Sequence, residues 1–433
     1  MRDKLLGVAV SDRDFVVVGS SAEEMLAHGF KQVGHDFPVF LHPKTGEEYA
    51  LARTERKSGS GYLGFTCDFS PEVTLEEDLR RRDLTINAMA EDEKGNIIDP
   101  YGGRADLQQR VLRHVSAAFI EDPLRVLRVA RFAARYRYLG FTIAPETMQL
   151  MREIALSGEL ISLTAERVWQ ELLGALQTHN PEVFIRVLRR TGALHSVLPE
   201  VDALYGVPGP VRWHPEIDSG IHTCMTLSRV AMETEDPLTR FAMLCHDLGK
   251  GCTPIKQWPH HKDHHLLGLK PLHELCTRLK VPTEYAEFAA LVVQYHSDMH
   301  HVYRNGPAGV VDLLDHLDAW RRPWRIKPFV QCCKCDFLGR KGFENRPYPR
   351  ADYFLGMFSL CSQVRAQEFV KLGFKGRDIK EQVRLRRIEL MSEYFTTLPR
   401  TELDDSDNEM PPYVLASLMI ERRGVPPLEE HPH

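Results

Sequence analysis

The hydrophobic pattern of the chain changes near Asp106. Before this residue, short apolar runs alternate with turn residues, a pattern typical of short strands and helices built around a small sheet. The patterns predict strands at Phe15–Gly19 and Ile97–Ile98, a hairpin of Phe37–His42 and Glu47–Thr54 around Lys44–Gly46, a short helix at Ser21–His28 capped by Ser20 or Ser21, and a helix at Glu76–Ala90. The first part of the chain is therefore predicted to be a small α/β head.

Beyond Asp106 the strand signals nearly vanish, and apolar residues recur at helical spacing. Helices are predicted at Glu121–Tyr138, Ala144–Ser157, Thr164–Thr178 and Pro181–Thr191, before a turn-rich stretch, YGVPGPVRWHPEIDSG, at Tyr205–Gly220. We expect an α+β fold with four parts: a head at 1–115, an all-helical neck and body at 116–204, a second helical domain at 219–340, and C-terminal helices with a loose acidic tail, DDSDNEMPP, at 341–433.

Composition narrows the class of protein only a little. The 433 residues are 43% hydrophobic and 27% charged, and the net charge is −5. No apolar run approaches the ~20 residues that a membrane-spanning helix needs, and no charged-then-apolar leader begins the chain. The nine cysteines are scattered, as in proteins of a reducing compartment, and Cys332, Cys333 and Cys335 are only a weak zinc signal. We therefore expect a cytoplasmic protein with no membrane partner.

Two aspartates lie one residue apart beside the first predicted strand. In a strand, Asp12 and Asp14 would point to the same side, ~6–7 Å apart, and could together hold two Mg²⁺ ions for a phosphoryl transfer. Gly19–Ser21 follows the strand and opens a helix, where backbone N–H groups can meet phosphate. A third carboxylate could come from Glu48 or from Glu47 on a later strand, and the sequence does not choose between them. Most such aspartate pairs are solvated surface, so the interpretation depends on these neighbours.

The predicted helix Glu121–Tyr138 carries charged residues every three or four positions. They are Asp122, Arg125, Arg128, Arg131 and Arg135. An arginine-rich solvated face would account for them equally well. The chemical alternative is that Asp122 accepts the exocyclic amine of cytosine or adenine, while Arg125, one turn away, donates to the neighbouring ring nitrogen. Uracil and guanine place a carbonyl opposite the carboxylate, so this pair would select C and A without a nucleic-acid template.

A second group of candidate residues surrounds His246 and Asp247 in TRFAMLCHDLGKG. The segment resembles the HD phosphohydrolase superfamily, in which histidines and aspartates from separate helices hold a divalent metal. The resemblance implies a ligand set of His222, His246, Asp247, His264 and His296, with Asp336 favoured over Asp318 as the last member. Neutral imidazoles suit Ni²⁺, Co²⁺ or Mn²⁺ better than Mg²⁺, and such a metal can activate water for attack on a phosphoester.

Four segments in the first half carry a more specific resemblance: VSDRDFVVVGSS, EEYALARTERKSGSGYLGFT, RRDLTINAMA and EDPLRVLRVARFAARY. Together with the HD segment they resemble the bacterial class II CCA-adding enzymes (tRNA nucleotidyltransferases), in the multifunctional form that carries an HD domain. The resemblance covers nearly the whole chain. It implies addition of CCA to the 3′ end of tRNA from CTP and ATP, with Mg²⁺ as cofactor and pyrophosphate as product. For the HD domain it implies phosphatase, 2′-nucleotidase and 2′,3′-cyclic phosphodiesterase activities.

The same resemblance assigns roles to individual residues. Asp12 and Asp14 would carry the catalytic Mg²⁺, and Lys57–Gly64 matches the loop that reshapes the pocket between C and A addition. The residues implied at the incoming nucleotide are Arg2, Arg82 at its triphosphate, Asp122 and Arg125 at its base, Arg128 and Arg131. The later helices would grip the tRNA acceptor stem, and candidates for contacts with RNA phosphates are Arg186, Arg189 and Arg190. Monomers and homodimers both occur among such relatives.

The start of the chain departs from the family pattern. Arg2 and Asp3 match the end of a Gly-Gly-Ala-Val-Arg-Asp turn, but the strand and both glycines before it are absent, so the head would be truncated at its first strand. We expect a mis-assigned start rather than an impaired enzyme, and an Arg2 that is poorly held near a free amino terminus. Two alternatives remain open: a poly(A) polymerase, and a working HD phosphohydrolase whose impaired head only binds RNA.

Overall fold

The computed structural model describes residues 1–10, 13–33, 39–57 and 65–397 of the 433. Asp12, nearly all of the predicted loop Lys57–Gly64 and the acidic stretch Asp404–Pro412 lie outside the described residues, so those predictions stay predictions. The chain separates into two compact units. The first unit is Met1–Ala175 with Val183–Val197, and the second is Leu176–Glu182 with the chain from Leu198 onward.

The first part of the chain alternates short strands and helices. Its strands are β1 (Asp14–Val17), β2 (Lys31–Val33), β3 (Val39–Leu41), β4 (Glu48–Leu51), β5 (Thr54–Lys57), β6 (Phe65–Asp68), β7 (Ala90–Glu91), β8 (Ile97–Ile98), β9 (Val111–Leu112) and β10 (Thr142–Ile143). Its helices are α1 (Arg2–Leu6), α2 (Ala22–Ala27), α3 (Leu75–Arg80), α4 (Gly103–Gln109), α5 (Leu124–Tyr136), α6 (Pro145–Ser157), α7 (Ala165–Leu176), α8 (Pro181–Thr191) and α9 (Ala193–Val197). Strands are concentrated in the head, so the predicted α+β class is confirmed.

The main sheet of the head has four strands in the order β1–β4–β3–β2. β1 and β4 run parallel, while β3 is antiparallel to both β4 and β2. The β3–β4 hairpin turns at Lys44–Gly46, as predicted, and Gly46 takes the positive φ of 71° that this turn needs. Met25 of α2 is buried in one cluster with Phe40 and Leu51 of the sheet, so the helix covers the apolar face of these strands.

The short helix α2 begins after Ser21, one of the two caps predicted for it. Oγ of Ser21 accepts the backbone N–H of Glu24 at 3.3 Å, while Oε2 of Glu24 accepts the N–H of Ser21 at 3.2 Å. Oγ of Ser20 also donates to Oε2 of Glu24, at 2.9 Å. Both serines are thus engaged with the start of α2, and their predicted contact with phosphate stays a prediction.

The helix predicted at Glu76–Ala90 is wrong in its second half. α3 covers only the first part, and a short 3₁₀ turn at Thr85–Asn87 follows. Between the two, Leu84 is extended and forms a β-bridge with His114. Because this partner lies far along the chain, local helix propensity could not indicate where the helix breaks.

The four helices predicted between Glu121 and Thr191 are present as α5 to α8. α5 is shorter at its start than predicted, because the chain turns at Asp122 and Pro123 before the first helical residue. Its apolar side chains pack inward, and the fully or nearly fully buried ones include Leu127, Val129, Phe132, Ala133 and Tyr136. Of the arginines of α5, Arg125 is buried, whereas Arg128, Arg131 and Arg135 are only partly buried.

The second unit is helical. Its helices are α10 (Pro199–Asp202), α11 (Ser219–Glu233), α12 (Pro237–Cys245), α13 (His264–Leu267), α14 (Leu269–Arg278), α15 (Thr283–His300), α16 (Val302–His316), α17 (Ile326–Leu338), α18 (Pro349–Cys361), α19 (Ala366–Lys371) and α20 (Arg377–Thr397). α11, α12, α15 and α17 pack against one another, and each contributes a fully buried apolar side chain: Leu227, Phe241, Val292 and Phe329. No helix within the described ranges combines the length and the hydrophobicity needed to cross a lipid bilayer.

The cysteines that gave a weak zinc signal lie in the core. Cys332, Cys333 and Cys335 belong to α17 and are fully buried, and burial raises the pKa of each thiol above its ordinary value. Among the residues that the structure describes, no cluster of possible metal ligands includes a cysteine. We therefore assign these three residues to the packing of the helical unit.

Candidate functional site

The head sheet brings two of the predicted metal-binding carboxylates level with each other. In the parallel pair of β1 and β4, Asp14 is the register partner of Glu48. Side chains of register partners point to the same face of a sheet, and both of these residues are exposed. Glu47 precedes β4, and its Oε2 accepts a hydrogen bond from Oγ1 of Thr45 at 2.9 Å. Of the two glutamates that the sequence left open, Glu48 is the one beside Asp14.

An aromatic pair fixes the register of these two strands. Phe15 and Tyr49 are the next register partners, and their rings stack with centroids 4.5 Å apart on the face opposite the carboxylates. Phe30 packs edge-on against Tyr49 at 5.2 Å. A slip of one residue would move these rings to the exposed face, so their packing also holds Asp14 opposite Glu48.

Arg2 is well held, contrary to the expectation from its position near the amino terminus. Its Nε donates to the hydroxyl of Tyr136 at 2.7 Å, and its Nη1 donates to Oδ1 of Asn87. The guanidinium also lies over the ring of Phe132, 4.8 Å from the centroid. The hydroxyl of Tyr136 donates in turn to Oδ1 of Asp3 at 2.6 Å. Helix α5 thus anchors the first residues of the chain.

Asn87 links Arg2 to a second arginine through a buried aspartate. Nδ2 of Asn87 donates to Oδ1 of Asp83 at 2.8 Å, and Nε of Arg128 donates to Oδ2 of Asp83 at 2.7 Å. Burial alone would raise the pKa of Asp83, but the guanidinium of Arg128 and the amide of Asn87 lower it to about 2. Asp83 is therefore ionised at neutral pH and fixes the guanidinium of Arg128.

A third arginine of this group is fixed by α7. Nε of Arg131 donates to Oε2 of Glu171 at 2.6 Å. The guanidiniums of Arg2, Arg128 and Arg131 all lie near the ring of Phe132, at 4.8, 5.8 and 4.7 Å from its centroid. We call Arg2, Arg128 and Arg131 the arginine group. Each member has a polar or charged partner that sets its orientation.

The two residues predicted to pair with the base have protein partners in this structure. Oδ1 of Asp122 accepts the first backbone N–H of α5 at 3.1 Å, and its Oδ2 accepts a hydrogen bond from Nη2 of Arg167 at 2.9 Å. Arg125 is buried, and it donates to the carbonyl oxygens of Ala118 at 2.6 Å and of Arg81. These bonds tie the start of α5 to the segments before it, and the choice of C and A by this pair stays a prediction.

Arg82 lies just beyond α3 beside a buried carboxylate. Its Nη2 donates to Oδ2 of Asp78 at 3.2 Å, while Nη2 of Arg81 donates to Oδ1 of Asp78 at 2.7 Å. Burial would raise the pKa of Asp78, but the two guanidiniums hold it below its usual value. The side chain of Arg82 is 32% exposed, so it keeps access to solvent, and its contact with a triphosphate stays a prediction.

A basic face is present on α8. Arg186, Arg189 and Arg190 are all exposed, and their spacing of three and four residues puts them on one side of the helix. The opposite side carries the buried Phe184 and Leu188. The predicted contact of these arginines with RNA phosphates stays a prediction.

In the second unit, four predicted histidine ligands meet around one carboxylate. Nε2 of His246 lies 3.2 Å, and Nε2 of His222 lies 3.8 Å, from Oδ2 of Asp247. Nε2 of His264 lies 3.6 Å, and Nε2 of His296 lies 3.7 Å, from the other oxygen, Oδ1. Asp247 therefore faces one pair of histidines with each of its carboxylate oxygens.

Asp336 joins this cluster, and Asp318 does not. Oδ1 of Asp336 lies 2.9 Å from Nε2 of His222 and 3.8 Å from Nε2 of His246. Asp318 accepts a hydrogen bond from Nε of Arg321 at 2.7 Å at an exposed position instead. We call the four histidines, Asp247 and Asp336 the HD cluster.

The HD cluster draws its members from separate helical segments. His222 lies in α11, His246 and Asp247 directly follow α12, His264 begins α13, His296 lies in α15 and Asp336 lies in α17. Gly249 makes one of these approaches possible, because a Cβ at this position would lie 1.8 Å from the carbonyl oxygen of His264. A glycine at position 249 is therefore needed for α13 to pack this closely.

The donor set fits a divalent cation. Nδ1 of His246, His264 and His296 lies 2.7, 3.0 and 2.9 Å from a backbone carbonyl, so each Nδ1 carries the proton and each Nε2 keeps its lone pair. Nε2 of His246 and of His264 and both oxygens of Asp247 are buried without a hydrogen-bond partner of good geometry in the described chain. Atoms that bind one ion at about 2.1 Å lie about 3–4 Å apart, as these do. An ion held by His222, His246 and Asp247 would satisfy some of these atoms, and an ion held by Asp247, His264 and His296 would satisfy the others.

Burial and neighbouring charges set the protonation of the histidines. Burial lowers the pKa of His264 to about 3 and also lowers the pKa of His296, so both imidazoles are neutral at pH 7. Burial would lower the pKa of His222 as well, but Asp336 and Glu216 beside its two nitrogens raise it to about 9. Binding of a metal at His222 would therefore release a proton.

The sequence patterns did not single out several polar residues around the cluster: His214, Glu216, Lys250, His300 and Arg340. Nζ of Lys250 lies 2.6 Å from Oδ2 of Asp247, and Nε2 of His300 lies 2.7 Å from Oδ2 of Asp336. The sequence did carry a signal for His214 and Glu216. They belong to the tripeptide HPE in the turn-rich stretch Tyr205–Gly220, a few residues before His222. The other residues of that stretch are typical of turns, so the pattern predicted only a connection between helices.

A cavity of about 300 Å³ adjoins the HD cluster. Cluster members line one part of it, and positive charge comes from Lys250 and Arg340. Other lining residues include Trp213, His260 and His301. The cavity is therefore lined both by possible metal ligands and by cationic side chains.

Three segments of the chain match known families. Residues 1–113 match the family described as Poly A polymerase head domain, residues 140–205 match Probable RNA and SrmB- binding site of polymerase A, and residues 220–320 match HD domain. The chain thus has a segment similar to a poly A polymerase head and, after it, a segment similar to an HD domain. The resemblance found in the sequence is confirmed, since these domains in this order are consistent with a class II CCA-adding enzyme that carries an HD domain.

Solved structures of CCA-adding enzymes share this fold. The Thermotoga maritima CCA-adding enzyme complexed with tRNA is 19% identical, with a TM-score of 0.57 over 97% of this chain and 89% of that chain. A CCA-adding enzyme complex with ATP is 20% identical, with a TM-score of 0.58 over 99% of this chain and 89% of that chain. A complex with CTP is 19% identical, with a TM-score of 0.56 over 98% and 90%. At such identity the likeness establishes the fold.

Proposed function

We propose that the head adds the 3′-terminal CCA of tRNA without a nucleic-acid template, using CTP and ATP and releasing pyrophosphate. The observation that carries the proposal is the juxtaposition of Asp14 and Glu48 on one exposed face of the head sheet. Neighbouring carboxylates are the ligands that Mg²⁺ prefers at sites of phosphoryl transfer. The structures that share this fold include complexes with tRNA, ATP and CTP, which supports this choice of substrates.

The proposed reaction forms one phosphodiester bond and breaks one phosphoanhydride bond. The 3′ oxygen of the RNA attacks the α-phosphorus of the nucleotide and loses its proton, and the oxygen that bridges to pyrophosphate leaves. Asp14 and Glu48, with Asp12 outside the described residues, would hold Mg²⁺, which when bound neutralises charge on the reacting phosphate. The sheet contributes carboxylates whose spacing is fixed by strand register.

The arginine group favours binding of a nucleoside triphosphate. Its members are held by Tyr136, Asn87, Asp83 and Glu171 before any ligand arrives. Guanidiniums keep their charge throughout the physiological pH range, and side chains that are already ordered lose little entropy when they bind. Arg82, with its partly exposed guanidinium, is the further candidate for the triphosphate.

Incubation with Mg²⁺ and a tRNA that lacks its terminal CCA tests this function. We expect addition of C residues with CTP alone and of complete CCA with CTP and ATP together. The Asp14→Asn variant should add neither. A poly(A) polymerase would ignore CTP, and a head that only binds RNA would incorporate no nucleotide while the HD domain still hydrolysed phosphoesters.

We further infer that the HD domain hydrolyses phosphoesters, with phosphatase, 2′-nucleotidase and 2′,3′-cyclic phosphodiesterase activities. The observation that carries this inference is the convergence of His222, His246, His264 and His296 on the buried carboxylate of Asp247. The HD cluster would hold Ni²⁺, Co²⁺ or Mn²⁺, which when bound polarises the phosphoester and activates water. Lys250 and Arg340 in the cavity wall would bind phosphate oxygens.

Hydrolysis of 2′,3′-cyclic AMP in the presence of Ni²⁺ or Mn²⁺ tests the second activity. We expect the unmodified protein to form a nucleoside monophosphate and the Asp247→Asn variant to lose this activity. Asp318→Asn is the matched control, because this aspartate was the other candidate ligand and lies outside the HD cluster. Equal loss in both variants would contradict the assignment of the site.

A further inference from the structure

We propose that Glu216 is a positioning residue for the metal centre of the HD cluster. Its carboxylate holds the imidazole of His222 from the Nδ1 side, so that Nε2 faces the metal. This proposal rests on the metal-dependent function inferred above for the HD domain. Glu216 lies in the turn-rich stretch before α11, a segment to which neither the proposed reaction nor the metal ligands assign a role.

The carboxylate of Glu216 is fixed from three directions. The residue is only 8% exposed. Its Oε1 lies at ion-pair distance, 2.8 Å, from Nδ1 of His222, outside the angles of a good hydrogen bond, and it accepts a hydrogen bond from Nδ1 of His214 at 3.0 Å. Its Oε2 accepts the backbone N–H of Lys341 at 3.2 Å. A buried carboxylate held in this way presents a defined oxygen to His222.

His222 differs from the other histidines of the HD cluster in what faces its Nδ1. His246, His264 and His296 have a neutral backbone carbonyl at this position, whereas His222 has the charged Glu216. A proton kept on Nδ1 leaves the Nε2 lone pair for a metal. A carboxylate partner also makes the imidazole more basic and therefore a stronger ligand.

Glu216 also connects with Asp247 through two side chains. Nε2 of His214 lies 3.4 Å from Nζ of Lys250, which lies 2.6 Å from Oδ2 of Asp247. Lysine can only donate, so Nε2 of His214 accepts, and its Nδ1–H is the donor to Glu216. Glu216 therefore holds His222 directly and braces Asp247 through His214 and Lys250.

The contacts that run from Glu216 through His214 and Lys250 to Asp247 favour a positioning role for Glu216. They argue against a separate cation site. His214, Glu216 and His222 lie close enough for one ion to contact all three. An ion on Nδ1 of His214 would displace the proton by which that nitrogen donates to Glu216. It would also leave Nε2 of His222 turned away, toward Asp336 at 2.9 Å.

Glu216→Gln tests the proposal with almost no change in size. The amide has one oxygen and one NH₂ group, so in either orientation a donor faces the N–H of Lys341 or the two imidazoles. With the NH₂ group toward the imidazoles the contact with Nδ1 of His222 is lost, and with it toward Lys341 the side chain loses the backbone bond that anchors it, so the hold on His222 is weakened in both cases. We expect the affinity of metal-free protein for Mn²⁺, titrated alone by calorimetry, to fall by about 10- to 100-fold.

Two further variants separate metal binding from folding. Glu233→Gln is the matched control: this carboxylate of α11 pairs with Arg229 at 2.7 Å and Lys334 at 3.1 Å, away from the cluster, and its loss should leave Mn²⁺ affinity unchanged. Glu216→Asp keeps the charge but shortens the reach, so it should also weaken Mn²⁺ binding. It provides the test if the glutamine variant does not fold. Thermal unfolding of each metal-free variant measures the effect on the fold.

Weaker Mn²⁺ binding by the Glu216 variants, with metal-free stability close to that of the unmodified protein, supports the proposal. Unchanged affinity in a folded Glu216 variant would overturn it while leaving the metal-dependent function intact. A loss of affinity matched by an equal loss of folded metal-free protein would also overturn it. Failure of the unmodified protein to bind Mn²⁺ would instead contradict the function proposed for the HD domain.

Discussion

Asp14 of β1 and Glu48 of β4 are register partners on neighbouring parallel strands, with their side chains on one exposed face of the head sheet. The stacked rings of Phe15 and Tyr49 on the other face hold this register. The relationship ties the proposed nucleotide-transfer site to the pairing of two short strands. It also distinguishes Glu48 from Glu47, because only Glu48 is the register partner of Asp14.

Glu48→Gln should reduce the rate of nucleotide addition far more than Glu47→Gln. Loss of a metal ligand beside Asp14 removes part of a contribution of several kcal/mol to the transition state, so kcat should fall on the order of 100-fold. Glu47 bonds to Thr45 in the hairpin and should be replaceable. Incorporation of labelled CTP into tRNA lacking CCA measures both rates, and equal effects of the two changes would contradict the assignment.

Asp83→Asn should change how the stability of the head depends on pH. Burial would raise the pKa of Asp83, but Arg128 and Asn87 lower it to about 2, whereas an unfolded chain has ~3.9. The folded state therefore binds fewer protons in this interval, and the carboxylate stabilises the fold above ~pH 4. This stabilisation, on the order of 2 kcal/mol, disappears as the pH falls toward 2.

Urea unfolding at pH 7 and at pH 3 measures this contribution. We expect the unmodified protein to lose more stability between these two values than the Asp83→Asn variant does. Glu93→Gln removes an exposed carboxylate from the same head and serves as the control. The same pH dependence in all three proteins would argue against an ionised, paired Asp83.

Gly249→Ala should disable the HD cluster. The new Cβ would lie 1.8 Å from the carbonyl oxygen of His264, so α13 must move away and carry this ligand with it. Overpacking of this kind costs about 1–3 kcal/mol or more in the free energy of unfolding. Gly356→Ala is the matched control, since its Cβ would meet only Oη of Tyr394 at 3.8 Å. Mn²⁺ titration and thermal unfolding should separate the two variants, and equal metal affinity would refute the packing argument.

Replacing Arg186, Arg189 and Arg190 by glutamine should weaken tRNA binding and reduce its salt dependence. If all three contact phosphates of the acceptor stem, the slope of log K against log salt should decrease by about 2 to 3. The control replaces three exposed basic residues outside the RNA-binding match, Lys371, Lys375 and Arg377. An unchanged slope in the α8 variant would show that the basic face serves only solubility.

Local patterns were sufficient for much of the fold, and the resemblance to HD proteins was sufficient for the candidate residues of the HD cluster. Apolar spacing predicted α8 with its observed ends, and turn residues predicted the β3–β4 hairpin, because both features depend on neighbouring residues. The segment around His246-Asp247 carried the resemblance, and the resemblance implied the other members of the cluster. The choice of Asp336 over Asp318 needed the packing of α17 against α11 and α12.

Features that depend on distant partners were not predictable from one sequence. The break after α3 depends on the bridge between Leu84 and His114. The firm hold on Arg2 depends on Tyr136, at the far end of α5. Glu216 lies in a stretch rich in turn residues, where the local sequence indicates no function. Its proposed role follows only from its contact with His222 in the folded protein. In each case a tertiary contact overrides what the local sequence indicates.

The most direct test compares Asp14→Asn and Asp247→Asn in two reactions run side by side. One is CCA addition to a truncated tRNA with CTP, ATP and Mg²⁺, and the other is hydrolysis of 2′,3′-cyclic AMP with Mn²⁺. We predict that the unmodified protein performs both reactions, that Asp14→Asn abolishes the first and that Asp247→Asn abolishes the second. Addition of CCA by the Asp14→Asn variant at the unmodified rate would contradict the account of the head.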